Sequence, residues 1–259
     1  MHALFDRDES TQLTQDQRAL IIHCGEHPWN FLSATYNDPR TRHNVPLVRT
    51  RDEENIDRSQ RIRPFPVDKP HLKALVDLMA DPPITQNGRN APIIIPKARR
   101  SIVSYGVCSF ALWEWLHYDA SNWVIAKHDI GDSSRLMREK IRATYELLPE
   151  FYTRTLWAQF TESERGYTSS KGGNIMPAES GFDVGSGLGV AASFFFDEAP
   201  LMKKLKRAYE KLVVTAALMV LAGTPPGVDD DYDAESLDFF VSFFQDPDRV
   251  EFEEEEDAL

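Results

Sequence analysis

Four short apolar runs, each stopped by a charged or turn-forming residue and separated by stretches of helical periodicity, constrain this chain more than anything else in its sequence. APIIIP at 91–96 sets three isoleucines between prolines, and WVIA covers Trp123–Ala126. Ala192–Phe196 ends at Asp197 and Glu198, and Ala216–Ala222 runs into GTPPG. Runs this short and this apolar, bounded by breakers, fit strands of a parallel sheet buried on both faces. Between them lie SIVSYGVCSFALWEWLHY after the first run, Ser133–Leu148 stopped by Pro149 after the second, and LMKKLKRAYEKL after the third. These read as helices. Strand, loop and helix repeated in this order predict an α/β domain with a mostly parallel sheet flanked by helices.

The periodic region covers 61–228. It opens with a helix at HLKALVDLMADPP, whose Leu72, Leu75, Val76, Leu78 and Met79 recur at helical spacing and which Pro82 and Pro83 end. TSSKGGNIMP predicts a hairpin with a Gly-Gly turn. Residues 1–60 are charged and show little periodicity, so an irregular segment is expected there, packed on the core through Trp29, Phe31 and Leu32. Residues 229–259 hold 14 acidic residues and one basic residue, Arg249, and are expected to be a partly disordered acidic segment. The formal charge of −12 is concentrated there, because residues 1–228 carry 28 basic and 27 acidic side chains. Its EFEEEED run reads as a solvated end or as an interaction tail.

The longest apolar run, Leu212–Gly223, is well short of the roughly 20 residues that span a bilayer, and MHALFDRDES has no secretory pattern. A cytoplasmic protein without membrane contact is expected. Cys24 and Cys108 lack any metal-ligand spacing, so both are expected to be reduced thiols, Cys108 within a helix core.

Three features carry chemistry. The first is a basic loop, PKARRSIVS, between a strand and a helix; the second is FFFDEA, which delivers Asp197 and Glu198 at a strand end; the third is the Thr-containing turn GTPPG. Phosphoryl transfer needs such a set, because the protein must neutralise phosphates, hold a magnesium ion and orient a water. The loop has no glycine, unlike a standard Walker A loop, and on its own also reads as a basic helix cap. FFFDEA has the form of a Walker B strand, although apolar runs ending in Asp-Glu also arise by chance. Gly185, Gly187 and Gly189 precede a strand instead of following one, which rules out a dinucleotide-binding fingerprint.

From Pro96 to Pro149 the sequence resembles phage terminase large subunits: a deviant glycine-free Walker A with its basic residue first, a Trp- and Leu-rich helix, a strand, an acidic turn, and a helix ending in Leu-Pro. FFFDEA corresponds to that family's Walker B, and GTPPG resembles its coupling motif, so the likeness spans about 64–245. It implies a P-loop NTPase-like fold of the ASCE/RecA-like kind, an Mg2+-dependent ATPase, and work in translocating double-stranded DNA. Lys97 would bind phosphate, with Ala98, Arg99, Arg100, Ser101, Ile102 and Val103 lining the loop. Ser104 and Asp197 would hold Mg2+, Glu198 would be the catalytic base and Thr224 the coupling residue. Phe65, in PFPVDKPHL, would stack on adenine or serve as a hydrophobic anchor, and Pro70 has the same two roles open. The resemblance further implies a homo-oligomeric ring, a portal protein and a small terminase subunit as partners, and the host cytoplasm as location.

Three departures from the pattern matter. Ile102 and Val103 stand where many relatives have a small residue, and no arginine lies between Gly172 and Pro200, leaving Arg154 and Arg165 as loose candidates for a finger. Only 32 residues follow Gly227, so no nuclease activity is expected, and Asp229, Asp230 and Asp231 are consecutive instead of gathered from several strands. The other readings are a degenerate interaction module that keeps the fold but hydrolyses little or no ATP, and a helicase-like ATPase, whose further motifs are not visible.

Overall fold

The computed structural model describes residues 13–51, 61–85, 87–97, 102–156, 161–163, 166–179, 192–224 and 233–245. In chain order the elements begin with α1 (Gln15–Glu26), α2 (Pro28–Ser33), β1 (Thr35–Asn37), β2 (Asn44–Pro46), β3 (Arg49–Arg51), β4 (Ile62–Pro64) and α3 (Pro70–Ala80). Next come β5 (Ile93–Pro96), α4 (Val103–His117), β6 (Asn122–Lys127), α5 (Ile130–Leu136), a π-helical turn (Met137–Arg142), α6 (Ala143–Leu147) and α7 (Glu150–Thr155). The chain continues with β7 (Thr161–Ser163), β8 (Gly166–Thr168), β9 (Asn174–Glu179), β10 (Ser193–Asp197), a 3-10 turn (Ala199–Leu201), α8 (Leu205–Val213), β11 (Leu218–Gly223) and α9 (Ala234–Gln245).

One sheet of seven strands, ordered β5-β11-β10-β6-β9-β8-β7, organises the molecule. The first five are parallel; β8 and β7 add antiparallel pairs at one edge. This is the mostly parallel, helix-flanked α/β sheet expected from the alternating runs. Because successive side chains of a strand point to opposite faces, β10 sends Phe195 to one side and Phe194 and Phe196 to the other. Phe195, Ile125, Val220 and Ile175 join α1–α4 in one buried cluster, while Phe194, Phe196, Val124 and Leu221 join α8 and Phe240 of α9 in a second. Both faces of β10 and β11 are therefore covered, which is why their sequences are continuously apolar.

Helix α4 explains its own lack of amphipathicity. Gly106, Val107, Cys108, Phe110, Leu112, Trp115 and Leu116 are all buried, so the helix is core on nearly every side. Cys24 and Cys108 are both buried and unbridged. The hairpin at the Gly-Gly turn forms as β8–β9, with Tyr167 opposite Ile175 and Gly172 at φ +81°.

Several boundaries differ from the sequence expectation. The N-terminal part is more regular than expected: α1 starts at a reciprocal capping box between Thr14 and Gln17. Phe31 and Leu32 are buried, and partly buried Trp29 packs against the same cluster. The helix expected from Ser133 begins at Ile130, because the Asp129 carboxylate accepts the amides of Gly131 and Asp132. The third helix starts only at Leu205, after Pro200 and a left-handed Lys204, and β11 begins at Leu218 instead of Ala216. Within the acidic C-terminal part, α9 forms and buries Ser236 and Phe240.

Candidate functional site

The carboxyl ends of β5, β6, β10 and β11 bring the chemistry together. Lys97 directly follows β5, and its amide donates to the Gly223 carbonyl at the end of β11 at 2.8 Å. Its ammonium reaches two strands over: Nζ pairs with Asp197 Oδ1 and donates to Ser104 Oγ at 3.1 Å. Ser104, in the first turn of α4, donates to the same Asp197 oxygen at 3.0 Å. Residues seven and one hundred positions from Lys97 in sequence thus meet on one carboxylate.

Lys127, the last residue of β6, closes the other side. Its Nζ lies 3.6 Å from Asp197 Oδ2 and 3.0 Å from Glu198 Oε2. His128 Nδ1 stands 3.9 Å from the same Glu198 oxygen. The Lys127 amide donates to Ser133 Oγ at 2.8 Å, and that hydroxyl donates to the Ala178 carbonyl, fixing β6 against α5 and β9. The side chains of Lys97 and Asp197 are 8% and 4% exposed. Burial opposes the charge on Lys127, but the carboxylates of Asp197 and Glu198 outweigh it and hold the ammonium above the usual lysine range. An isolated charge buried this deeply is costly, and here two ammonium groups alternate with two carboxylates so that each stands beside a group of opposite sign.

Glu198 adopts φ +62°, ψ +42°, a left-handed conformation that a non-glycine residue rarely occupies and that costs of order 1–3 kcal/mol. The chain turns sharply there into the 3-10 segment, leaving the Glu198 side chain about one-third exposed beside buried Asp197. Gly223 is required by this turn. A Cβ on it would stand 2.2 Å from Pro200 Cδ, so the end of β11 and the turn after Glu198 touch backbone to ring.

Of the residues singled out in the sequence, Lys97, Ser104, Asp197 and Glu198 converge. Thr224, half-buried, directly follows β11. Ile102 precedes α4, its carbonyl accepting the Gly106 amide, and Val103 is buried in the first turn. Ala98, Arg99, Arg100, Ser101 and Arg165 lie outside the described residues, as do the GFDVGSGLG glycines and Asp229, Asp230 and Asp231. Phe65 sits in the core at 2% exposure, edge to face with Trp29 at 6.4 Å. A base could stack on it only by displacing that packing, which favours the anchor role. Pro70 opens α3. Arg154 is exposed and pairs with Glu150 on α7.

Sequence reasoning missed Lys127 and His128. The available signal was a lysine continuing the apolar run WVIA, one residue past the expected strand end. That position becomes informative only once β6 is known to neighbour β10.

No family model and no curated protein matches the chain. Solved structures do. The chain is similar to phage large terminases and their ATPase domains. The large terminase of the thermophilic bacteriophage D6E aligns with a TM-score of 0.46 and 19% identity over 70% of this chain and 43% of the terminase. The large terminase ATPase domain of Thermus phage P74-26 aligns with a TM-score of 0.41 and 14% identity over 65% of this chain and 71% of that domain. The D6E terminase in complex with ADP aligns with a TM-score of 0.35 and 18% identity over 52% of this chain. The chain spans less than half the length of the D6E terminase. Among the described residues, no helix is long and apolar enough to cross a membrane.

Proposed function

We propose that the chain is the ATP-hydrolysing part of a terminase-type motor that drives double-stranded DNA into a procapsid. The observation that carries this reading is the convergence of Lys97, Ser104, Asp197 and Glu198 at the carboxyl ends of adjacent parallel strands, where open α/β sheets bind their ligands. Lys97 binds the phosphates of ATP, assisted by the amides of the loop through Ser104, and Arg99 and Arg100 add positive charge to that loop. Thr224, beside the Lys97–Gly223 backbone link, couples the state of the phosphate end to the rest of the sheet.

The donor set fits Mg2+. Ser104 Oγ and Asp197 Oδ1, 3.0 Å apart, supply a hydroxyl and a carboxylate oxygen. Among the described residues, no group of three or more His, Cys, Asp or Glu could hold a metal unaided. A cation here would draw its remaining ligands from water and phosphate, as Mg2+ does in nucleotide sites. When bound, it supplies charge neutralisation at the phosphates. Glu198 takes the proton of the attacking water; its exposed carboxylate has access to solvent, whereas Asp197 does not. Lys127 holds Glu198 beside Asp197. Double-stranded DNA, a portal protein, a small terminase subunit and further copies of the chain in a ring are the partners this role requires, in the host cytoplasm.

A second reading has a specific observation in its favour: both Asp197 oxygens already face ammonium groups, and the loop is glycine-free. In this reading the chain keeps the fold as an interaction module with little or no hydrolysis. Calorimetric titration with ADP and a non-hydrolysable ATP analogue, with and without Mg2+, separates the two. Binding strengthened by Mg2+ and abolished in Lys97→Ala supports the motor; absence of binding at millimolar nucleotide supports the module.

A further inference from the structure

Among the described residues, Lys127 alone pairs with both acids of the site. The sheet puts it there. β6 and β10 run parallel with Ala126 opposite Phe196, so Lys127 and Asp197 come next on neighbouring strands. On its other side Lys127 is in register with Glu179 of β9, and its amide donates to Ser133, so the backbone that carries the ammonium is fixed. Its side chain is 11% exposed and ends a strand in which Trp123–Ala126 are all buried. A lysine is rarely held this deep unless it is paired, and its partners here are the two acids.

The two ammonium groups of the site are not equivalent. Lys97 bonds Asp197 Oδ1 and Ser104 Oγ, the two oxygens that fit the cation. Lys127 Nζ lies 3.0 Å from Glu198 Oε2 and 3.6 Å from Asp197 Oδ2, so its hydrogen bond goes to Glu198 and its hold on Asp197 is longer-range. His128 Nδ1, 3.9 Å from the same Glu198 oxygen, is beyond hydrogen-bonding distance. The grip on Oε2 is therefore that of Lys127. An oxygen that accepts from an ammonium has less capacity to accept from a water, so the contact that orients Glu198 also occupies it. A terminal phosphate, with several oxygens and more than one negative charge, attracts an ammonium more strongly than a single carboxylate does. Lys97 and Lys127 approach opposite oxygens of one carboxylate, a spacing that the oxygens of one phosphoryl group also bridge.

We propose that Lys127 distinguishes ATP from ADP: its ammonium exchanges Glu198 Oε2 for an oxygen of the terminal phosphate, and the exchange frees Glu198 to receive the proton of the attacking water. This role rests on the ATP-hydrolysing reading and adds to it a residue that reads the terminal phosphate. Only hydrogen bonds change in the exchange, and the ammonium stays charged throughout. The base becomes available when the phosphate to be cleaved is present. ADP, which lacks that phosphate, leaves Lys127 on Glu198. Lys97, in contrast, serves both nucleotides.

Calorimetric titration of the full chain in Mg2+, with ADP and with a non-hydrolysable ATP analogue, reads this directly. Lys127→Met should bind ADP within about twofold of the parent and the analogue at least about tenfold more weakly, the scale of one hydrogen bond between charged groups. Lys127→Arg, which keeps the charge, should recover most of the preference for the analogue. A second measurement uses the parent and so does not depend on the folding of Lys127→Met. With isotope-labelled lysine, the Lys127 ε-methylene signal, assigned from its absence in Lys127→Arg, should move on adding the analogue and stay in place with ADP. Equal weakening of both ligands in Lys127→Met would overturn the proposal, since a residue that only supports the site acts on both. Unchanged affinity for the analogue, or a Lys127 signal that responds alike to the two nucleotides, would overturn it too. No ADP binding by the parent would be a different failure, that of the ATP-hydrolysing reading itself, and the role of Lys127 would fall with it.

Discussion

Two regions of this molecule bury ionisable side chains, and they resolve the cost in opposite ways. At the carboxyl ends of the strands, Lys97, Asp197, Lys127 and Glu198 alternate in sign and pair with one another. At the carboxyl end of α4, Cys24, His117 and Tyr152 gather without a counter-charge. His117 Nε2 and the Tyr152 hydroxyl share a hydrogen bond of 2.9 Å, and Phe31 packs on both rings. Burial there, with a smaller contribution from Lys171, pushes His117 down to about 3; burial also raises Cys24 to about 12 and moves Tyr152 further above its usual range. The first region concentrates charge that a phosphate or cation can exchange with, whereas the second holds neutral groups that join α1, α4 and α7. What distinguishes the first region is the pairing of opposite signs at strand ends, not burial alone.

Acid should expose the difference most strongly. Because folding depresses the His117 pKa from 6.5 to about 3, the unfolded chain binds the extra proton between those values. Stability from this group is complete above about pH 6.5 and declines as pH falls toward 3, by up to about 5 kcal/mol. Urea unfolding across this range should show the slope, and His117→Leu should flatten it. At the charged region, Lys97→Ala should lower turnover about 10²–10³-fold, the scale of losing a positioned electrostatic stabiliser. The same variant should leave the His117 slope intact. Lys127→Met removes the ammonium between two carboxylates, one of them buried, and should cost about 2–3 kcal/mol in urea unfolding near neutral pH. Smallest, Gly223→Ala drives a methyl into Pro200 and should destabilise by about 1–2 kcal/mol, with a loss of turnover if the turn holding Glu198 shifts.

Much of the charged region was legible because strand ends announce themselves: Ile95 to Lys97 and Phe196 to Asp197 are abrupt changes from apolar to charged. The spatial order of strands was not, since nothing local says that β11 inserts between β5 and β10. Lys127 was invisible for that reason, its meaning depending on which strand lies beside β6. The neutral cluster was equally hidden, because Cys24, His117 and Tyr152 are 35 or more positions apart and carry no motif. Helix α9 was overlooked because the acids around it dominate the composition, while Phe239, Phe240 and Phe243 supply the packing.

The most direct test of the account is Mg2+-dependent ATP hydrolysis by the purified chain, with and without double-stranded DNA, alongside Glu198→Gln. The account predicts turnover in the parent and its loss, by about 10²-fold or more, in the variant while nucleotide binding persists. Equal rates in the two proteins, or no hydrolysis by the parent in the presence of bound nucleotide and DNA, would contradict it.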